Sequence, residues 1–177
     1  MSEICSFEAI SAPTARVLIL GSIPGNASLM AKQYYANRQN SFWKIMAEIT
    51  GVSHIAIYEQ RIASLIAVRI ALWDVLESCT RLGSMDASIV RNSVKSNDFS
   101  RFFFNHPHIE LICFNGATAE AEYMKHVMPL NLHNNARLIR LPSTSPAYAA
   151  MPFKDKLIAW RNAVGVQANA LTSESTI

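Results

Sequence analysis

The run ARVLILGSIPG (15–25) decides the fold. Ala15 to Leu20 is a short, mostly apolar stretch, which reads as a strand buried in a parallel sheet. Gly21 ends it, and Gly21 and Gly25 flank Pro24 in the turn that follows. Backbone in such a turn can approach a ligand closely and present its N–H groups. Far downstream another apolar strand, Ala136 to Leu141, runs into Leu141-Pro142-Ser143-Thr144-Ser145-Pro146-Ala147. Two Pro-containing turns at the ends of buried strands can face each other across one cleft. Open α/β sheets hold their ligands in that place.

Outward from these two turns, strands alternate with helices. Helical spacing covers Ser41 to Thr50, with apolar residues at 42, 45, 46 and 49, and stops at Gly51. Ile55 to Ala67 reads as a helix and Val68 to Leu72 as a strand. Asn97 to Asn105 is a helix that ends before Pro107. Ile109 to Phe114 is a strand, Ala117 to Met128 a helix, and Pro152 to Val164 a final helix with proline at its start. Strands separated by helices imply right-handed crossovers. The expected architecture is an α/β three-layer αβα sandwich with a central four-stranded parallel sheet. Residues 1–165 form one domain, and the small, polar stretch 166–177 is a frayed tail.

A chain of 177 residues is large enough for one domain with a proper core. Half its residues are apolar and 16% are charged, which excludes general disorder. The net charge of +3 permits a nucleic-acid partner without arguing for one. Cys5, Cys79 and Cys113 are scattered and form no CxxC pair, so no metal site is expected, and they suit a reducing cytoplasm. Met1-Ser2-Glu3 lacks a signal pattern, and no run of about 18 apolar residues suggests a membrane span. The phosphate loop GxxxxGK[ST], the dinucleotide fingerprint GxGxxG and the hydrolase elbow GxSxG are all missing.

Each candidate residue also has a bland reading. Gly21 to Gly25 is by itself an ordinary strand-to-loop turn. Tyr34 and Tyr35, in the loop before the first helix, could stack on a base or simply close the core. Asn40 could cap its helix and still hold something else. The hydroxyls of Ser143, Thr144 and Ser145 could bind phosphate oxygens or line a solvent loop. The five histidines, 54, 106, 108, 126 and 133, have no metal spacing and read as surface or capping residues. Lys44 reads as a solvated flank, and Cys79 and Cys113 as inert core thiols.

Taken in order, GSIPGNASL (21–29), QYYANRQNSFW (33–43), ALWDVLESCTRLGSMDASI (71–89), CFNGATA (113–119) and LPSTSPAYA (141–149) resemble the motifs of the uracil-DNA glycosylase superfamily, most closely its hypoxanthine-DNA (deoxyinosine) branch. The resemblance runs from Val17 to about Trp160. It implies a four-stranded parallel sheet between helices. It also implies a monomeric enzyme that acts on DNA containing deaminated bases without metal or cofactor.

Residue by residue, the resemblance makes Tyr35 the aromatic that stacks on the extruded base. Gly21, Ser22, Ile23, Pro24 and Gly25 become the turn that shapes the base pocket. Asn40 becomes the catalytic asparagine, and Asn115 a residue that reads the base edge. Ser143, Thr144 and Ser145 become the loop that pinches phosphates and supports a wedge. The chain departs from the pattern in four places. Ser22-Ile23 brings no carboxylate to the first turn, and Leu141 stands where the uracil-specific branch has histidine. Arg38 stands where proline is common, and Tyr148 where asparagine is common. Tyr148 is either the wedge that fills the gap left by the flipped base or a side chain folded back near Phe153.

The implied reaction hydrolyses the N-glycosidic bond of hypoxanthine, uracil or xanthine after the base leaves the stack. Oriented N–H groups and amides stabilise the departing base. Asn40, which is not basic, orients the attacking water. The activity is then monofunctional and leaves an intact abasic strand. The alternatives are a catalytically weak lesion-binding relative and an unrelated small-molecule α/β hydrolase.

Overall fold

A computed structural model of the protein describes residues 2–83, 85–132 and 135–165. The expected tail, 166–177, and His133 lie outside the described residues. The elements in the first half are β1 (Ser2–Cys5), β2 (Val17–Gly21), α1 (Asn26–Ala31), α2 (Phe42–Thr50), α3 (Tyr58–Ala67), β3 (Ile70–Asp74) and β4 (Leu76–Arg81). They are followed by β5 (Lys95–Ser96), α4 (Phe99–Asn105), β6 (Leu111–Asn115), α5 (Ala117–His126), β7 (Arg137–Leu141) and α6 (Phe153–Trp160).

The four-stranded sheet has the order β3-β2-β6-β7, with every pair parallel. Residues 17 to 21 of β2 are all buried because both faces are covered. Leu18 and Leu20 point with Ala71, Trp73, Ile112 and Phe114 into a core closed by Phe99, Phe102 and Phe103 of α4 and Tyr123 of α5. Val17 and Ile19 point the other way, with Leu72, Leu111 and Cys113, against Phe42, Trp43, Ile45 and Met46 of α2, Leu65 of α3 and Trp160 of α6. The strand alternation thus makes the three-layer α/β sandwich that the sequence predicts.

From β2 the chain moves to β3 on one side, then to β6 and β7 on the other. The order therefore reverses between β2 and β6, which puts a crevice at their carboxyl ends. Gly21 and Asn115 are the last residues of these two strands.

Several boundaries differ from expectation. The strand read at Val68 to Leu72 begins at Ile70, because Arg69 takes a left-handed φ of 57° on leaving α3. The helix read to Met128 ends at His126, and a tight turn, Met128–Leu130, follows around Pro129. A short helix, α1, intervenes between the first turn and Tyr34. A second sheet, antiparallel with order β1-β4-β5, was not foreseen, since it uses an N-terminal segment and half of the block 71–89. No described helix is long and apolar enough to cross a membrane.

Cys79 and Cys113 are buried free thiols, and burial pushes Cys113 up to about 12, so it is inert at neutral pH. Lys44 is exposed, as expected. Of the histidines read as surface or capping residues, His106 takes the capping place. It is buried at the end of α4, stacked on Phe102 with ring centroids 4.1 Å apart, and its Nδ1 lies 2.7 Å from the Phe102 carbonyl.

Candidate active site

At the carboxyl end of β6, Asn115 ties three segments together. Its Nδ2 donates to the Tyr35 hydroxyl at 2.9 Å and to Thr144 Oγ1 at 2.8 Å. Its Oδ1 accepts from Thr144 N at 2.8 Å. Both amide protons are therefore committed to the protein, and one lone pair of Oδ1 remains. Gly116 follows with φ 98°, and a side chain there would press on Ser143, so only glycine lets the last turn close over β6.

Tyr34 and Tyr35 lie with ring centroids 6.4 Å apart and 38° between their planes, and Tyr35 takes a left-handed φ of 53°. Tyr34 is buried in the core. Its N–H donates to the Tyr58 hydroxyl, and its carbonyl accepts from Trp43 Nε1, both at 2.8 Å. Tyr35 stacks on Phe42 with centroids 4.0 Å apart and 21° between the planes. Its hydroxyl reaches the floor of the crevice. Burial, with the nearby Asp74 carboxylate, pushes that phenol up, so it stays neutral.

Asp74, at the end of β3, is paired in register with Gly21. A Cβ on Gly21 would overlap Asp74 Oδ1 and come within 3.0 Å of the Tyr35 hydroxyl, so glycine opens this corner. Ser6 Oγ donates to Asp74 Oδ2 at 2.9 Å, and Asn97 Nδ2 to its backbone carbonyl at 2.9 Å. Burial pushes the Asp74 carboxyl up to about 7. The Ser6 bond opposes this, the Asp86 charge adds to it, and Arg81 opposes it weakly. The first turn carries no carboxylate of its own, yet one whose pKa burial raises stands against it.

The rest of the first turn is braced from behind. Val75 N and Leu76 N donate to the carbonyls of Gly21 and Ser22 at 2.9 and 3.0 Å. Arg81, fully buried, donates from Nη2 to the Pro24 carbonyl at 2.7 Å. Ser22 Oγ donates to Asp86 Oδ2 at 2.7 Å, and Arg81 Nη1 faces Asp86 Oδ1 at 3.6 Å. Ile23 is buried in the same core as Leu20, so its side chain supplies shape and no polar contact. Gly25 precedes α1 and accepts from Leu29 N.

Asn40 accepts from Phe42 N through Oδ1 at 3.0 Å, which satisfies an orphan donor at the start of α2. Among the described residues its Nδ2 has no partner, and Oδ1 keeps a second lone pair. Ser41, the next residue, donates both N (3.0 Å) and Oγ (3.2 Å) to the Thr144 carbonyl. The loop that carries Tyr35 and Asn40 is thus joined to the last turn. Within that turn Ser143 Oγ accepts from Ser145 N, Ser145 Oγ accepts from Ala147 N, and Pro142 O accepts from Trp160 Nε1. Tyr148 is 40% exposed and shares a pocket wall with Phe153.

The structure therefore brings Gly21, Tyr35, Asn115 and Thr144 into direct proximity, with Ser22 turned to Asp86 and Asn40 one residue from the Thr144 contact. Sequence reasoning missed Asp74, Asp86, Arg81 and Lys156. Each lies in a different element from the group it contacts. The one available signal was an ionisable residue, Asp74, closing the apolar run before Val75. Among the described residues no group of three or more His, Cys, Asp or Glu side chains could hold a metal.

Comparison with known proteins gives the family and agrees with the fold. The family model described as the uracil DNA glycosylase superfamily matches residues 8–163. A protein of Methanosarcina acetivorans named hypoxanthine DNA glycosylase is 38% identical over 114 residues, 64% of this chain and 71% of that one. One of the same name from Methanosarcina barkeri is 37% identical over 101 residues, 56% of this chain and 63% of that one. A solution NMR structure from Methanosarcina acetivorans, of a protein proposed to be a uracil DNA glycosylase, superposes with a TM-score of 0.78 at 31% identity. The match covers 94% of this chain and 99% of that one. The chain is a DNA glycosylase that belongs to the uracil DNA glycosylase superfamily, in the branch of the proteins named hypoxanthine DNA glycosylase.

Proposed function

We propose that the protein removes hypoxanthine from DNA as a monofunctional glycosylase, with uracil and xanthine as further candidate bases. The observation that carries this reading is the polar corner formed by Asp74, the Tyr35 hydroxyl and Asn115 around Gly21, at the crevice between β2 and β6. The names of the two relatives supply the base.

The extruded base lies against Tyr35 and the Gly21 to Gly25 turn. Asp74, protonated at or below neutral pH, donates to a carbonyl or ring nitrogen of the base, and Asn115 offers the free lone pair of Oδ1 to a base N–H. As the C1′–N bond breaks, its electron pair leaves with the base and the sugar becomes cationic. The donors at the base edge stabilise the negative charge that develops there. Water held by the second lone pair of Asn40 Oδ1 adds to C1′ and loses a proton to solvent, and the base is released protonated. The turn Ser143 to Ser145 holds the strand through its phosphates. Tyr148 enters the vacated stack.

The test is incubation with oligonucleotides carrying a single hypoxanthine, uracil or xanthine, followed by alkaline cleavage. Release of free hypoxanthine with strand breakage only after alkali supports the proposal. Strand breakage without alkali would overturn the monofunctional mechanism, and release of uracil alone would overturn the base assignment.

A further inference from the structure

Lys156 on α6 is only 6% exposed, and its surroundings leave its charge unmatched. Its Nζ donates to the Tyr148 carbonyl at 2.7 Å and stands 5.1 Å from the centroid of the Tyr148 ring. Among the described residues it has no carboxylate within ion-pairing distance, and burial pulls its pKa down with no opposing charge. A buried ammonium is costly unless an anion completes it, and one carbonyl and one ring face do not supply that anion. Beside it opens a pocket of about 130 Å³ whose lining includes Gln39, Ser41, Thr144, Ser145 and Tyr148 and no acidic residue. The hydroxyls of Ser41 and Ser145 come from the two loops that Asn115 and Thr144 clasp together.

We infer that this pocket is a phosphodiester subsite for the DNA strand, in which Lys156 supplies the charge and Ser145, whose Oγ only accepts from Ala147 N among the described residues, donates a hydrogen bond to the same phosphate. The inference rests on the reading of the protein as a DNA glycosylase. It adds a residue from α6, outside the hydroxyl-rich turn, that gives the strand contact its charge. Because the same ammonium holds the Tyr148 carbonyl, seating of the phosphate also sets the position of the 145–148 segment. A diester fits better than an apolar ligand because the Lys156 ammonium and the Ser145 hydroxyl can both donate into the pocket, and no acidic side chain lines it.

The test compares the wild type with Lys156→Met, which keeps the length and removes the charge, and Lys156→Arg, which restores the charge. Half-saturating enzyme concentrations are measured in single-turnover excision from a hypoxanthine duplex over a series of salt concentrations. Loss of one phosphate contact should weaken Lys156→Met roughly tenfold at low salt and lower the slope of log affinity against log salt by about 0.9. Lys156→Arg should restore most of both. In wild-type protein, a neutral methylphosphonate at one position beside the lesion should reproduce the loss, and the same substitution should add nothing to Lys156→Met. Equal salt slopes for the wild type and Lys156→Met, or no methylphosphonate position that weakens the wild type, would overturn the subsite. If Lys156→Met fails to fold, Lys156→Gln, which also removes the charge, takes its place in the salt series and the methylphosphonate comparison. Failure of the wild type to release any base would instead strike the proposed function, so the two failures are distinguishable.

Discussion

Asn115 and Thr144 bond each other twice, Nδ2 to Oγ1 and N to Oδ1, each at 2.8 Å. With Thr144 almost fully buried, this clasp fixes the last turn against the end of β6. Through Tyr35 and Ser41 it also fixes the loop that precedes α2. The two sides of the crevice are therefore one hydrogen-bonded unit.

Breaking that unit should be costly. Asn115→Ala removes three bonds and leaves the buried Thr144 N–H without its acceptor, so unfolding in urea should show a loss of about 2–4 kcal/mol. Thr144→Ser, which keeps the hydroxyl, should be mild, whereas Thr144→Val should lose about 1–3 kcal/mol by orphaning an Asn115 proton. Tyr35→Phe should cost about 1 kcal/mol of stability for the same reason yet retain base stacking. A Thr144→Val protein as stable as the wild type would show that the clasp does not hold the turn.

Asp74 should make stability depend on pH. Its folded pKa of about 7 lies above the ordinary 3.8, so ionisation disfavours the native state. The favourable contribution is whole below about pH 4 and is lost as pH rises to about 7, roughly 4 kcal/mol at about 1.4 kcal/mol per pH unit. Urea unfolding from pH 4 to 8 should show Asp74→Asn gaining on the wild type up to pH 7 and running parallel above it. Identical pH slopes would reject Asp74 as the source. Excision by the wild type should also fall as pH passes 7, where the carboxyl loses the proton it donates.

Asn40→Ala should lower the single-turnover rate by about a hundredfold, the scale of losing one preorganised polar group. The lost bond to Phe42 N should cost only about 1 kcal/mol of stability. A folded variant with near wild-type excision would remove Asn40 from the chemistry and leave it a helix cap.

Tyr148→Ala tests the wedge. If the ring fills the gap left by the base, the variant should lose more activity on paired duplex than on single strands, which need no unstacking. A lesion placed in a mismatch should recover part of the loss. A uniform loss across all three substrates would assign Tyr148 to packing beside Lys156 and Phe153.

The sequence by itself determined the layers. Local apolar runs report burial on both faces of a strand, and helical spacing reports a covered face, so β2, β3, β6, β7 and most helices were legible with shifts of a residue or two. The turns were legible too, because Gly21, Pro24, Gly116 and Pro142 constrain the backbone locally. Only the tertiary structure decided how the site is charged and braced. Asp74 is a neighbour of Gly21 through parallel register, Asp86 meets Ser22 across a loop, and Lys156 reaches Tyr148 from α6. Such pairings join residues far apart in the chain, and a raised carboxyl or an unmatched ammonium exists only once folding has removed the water around it.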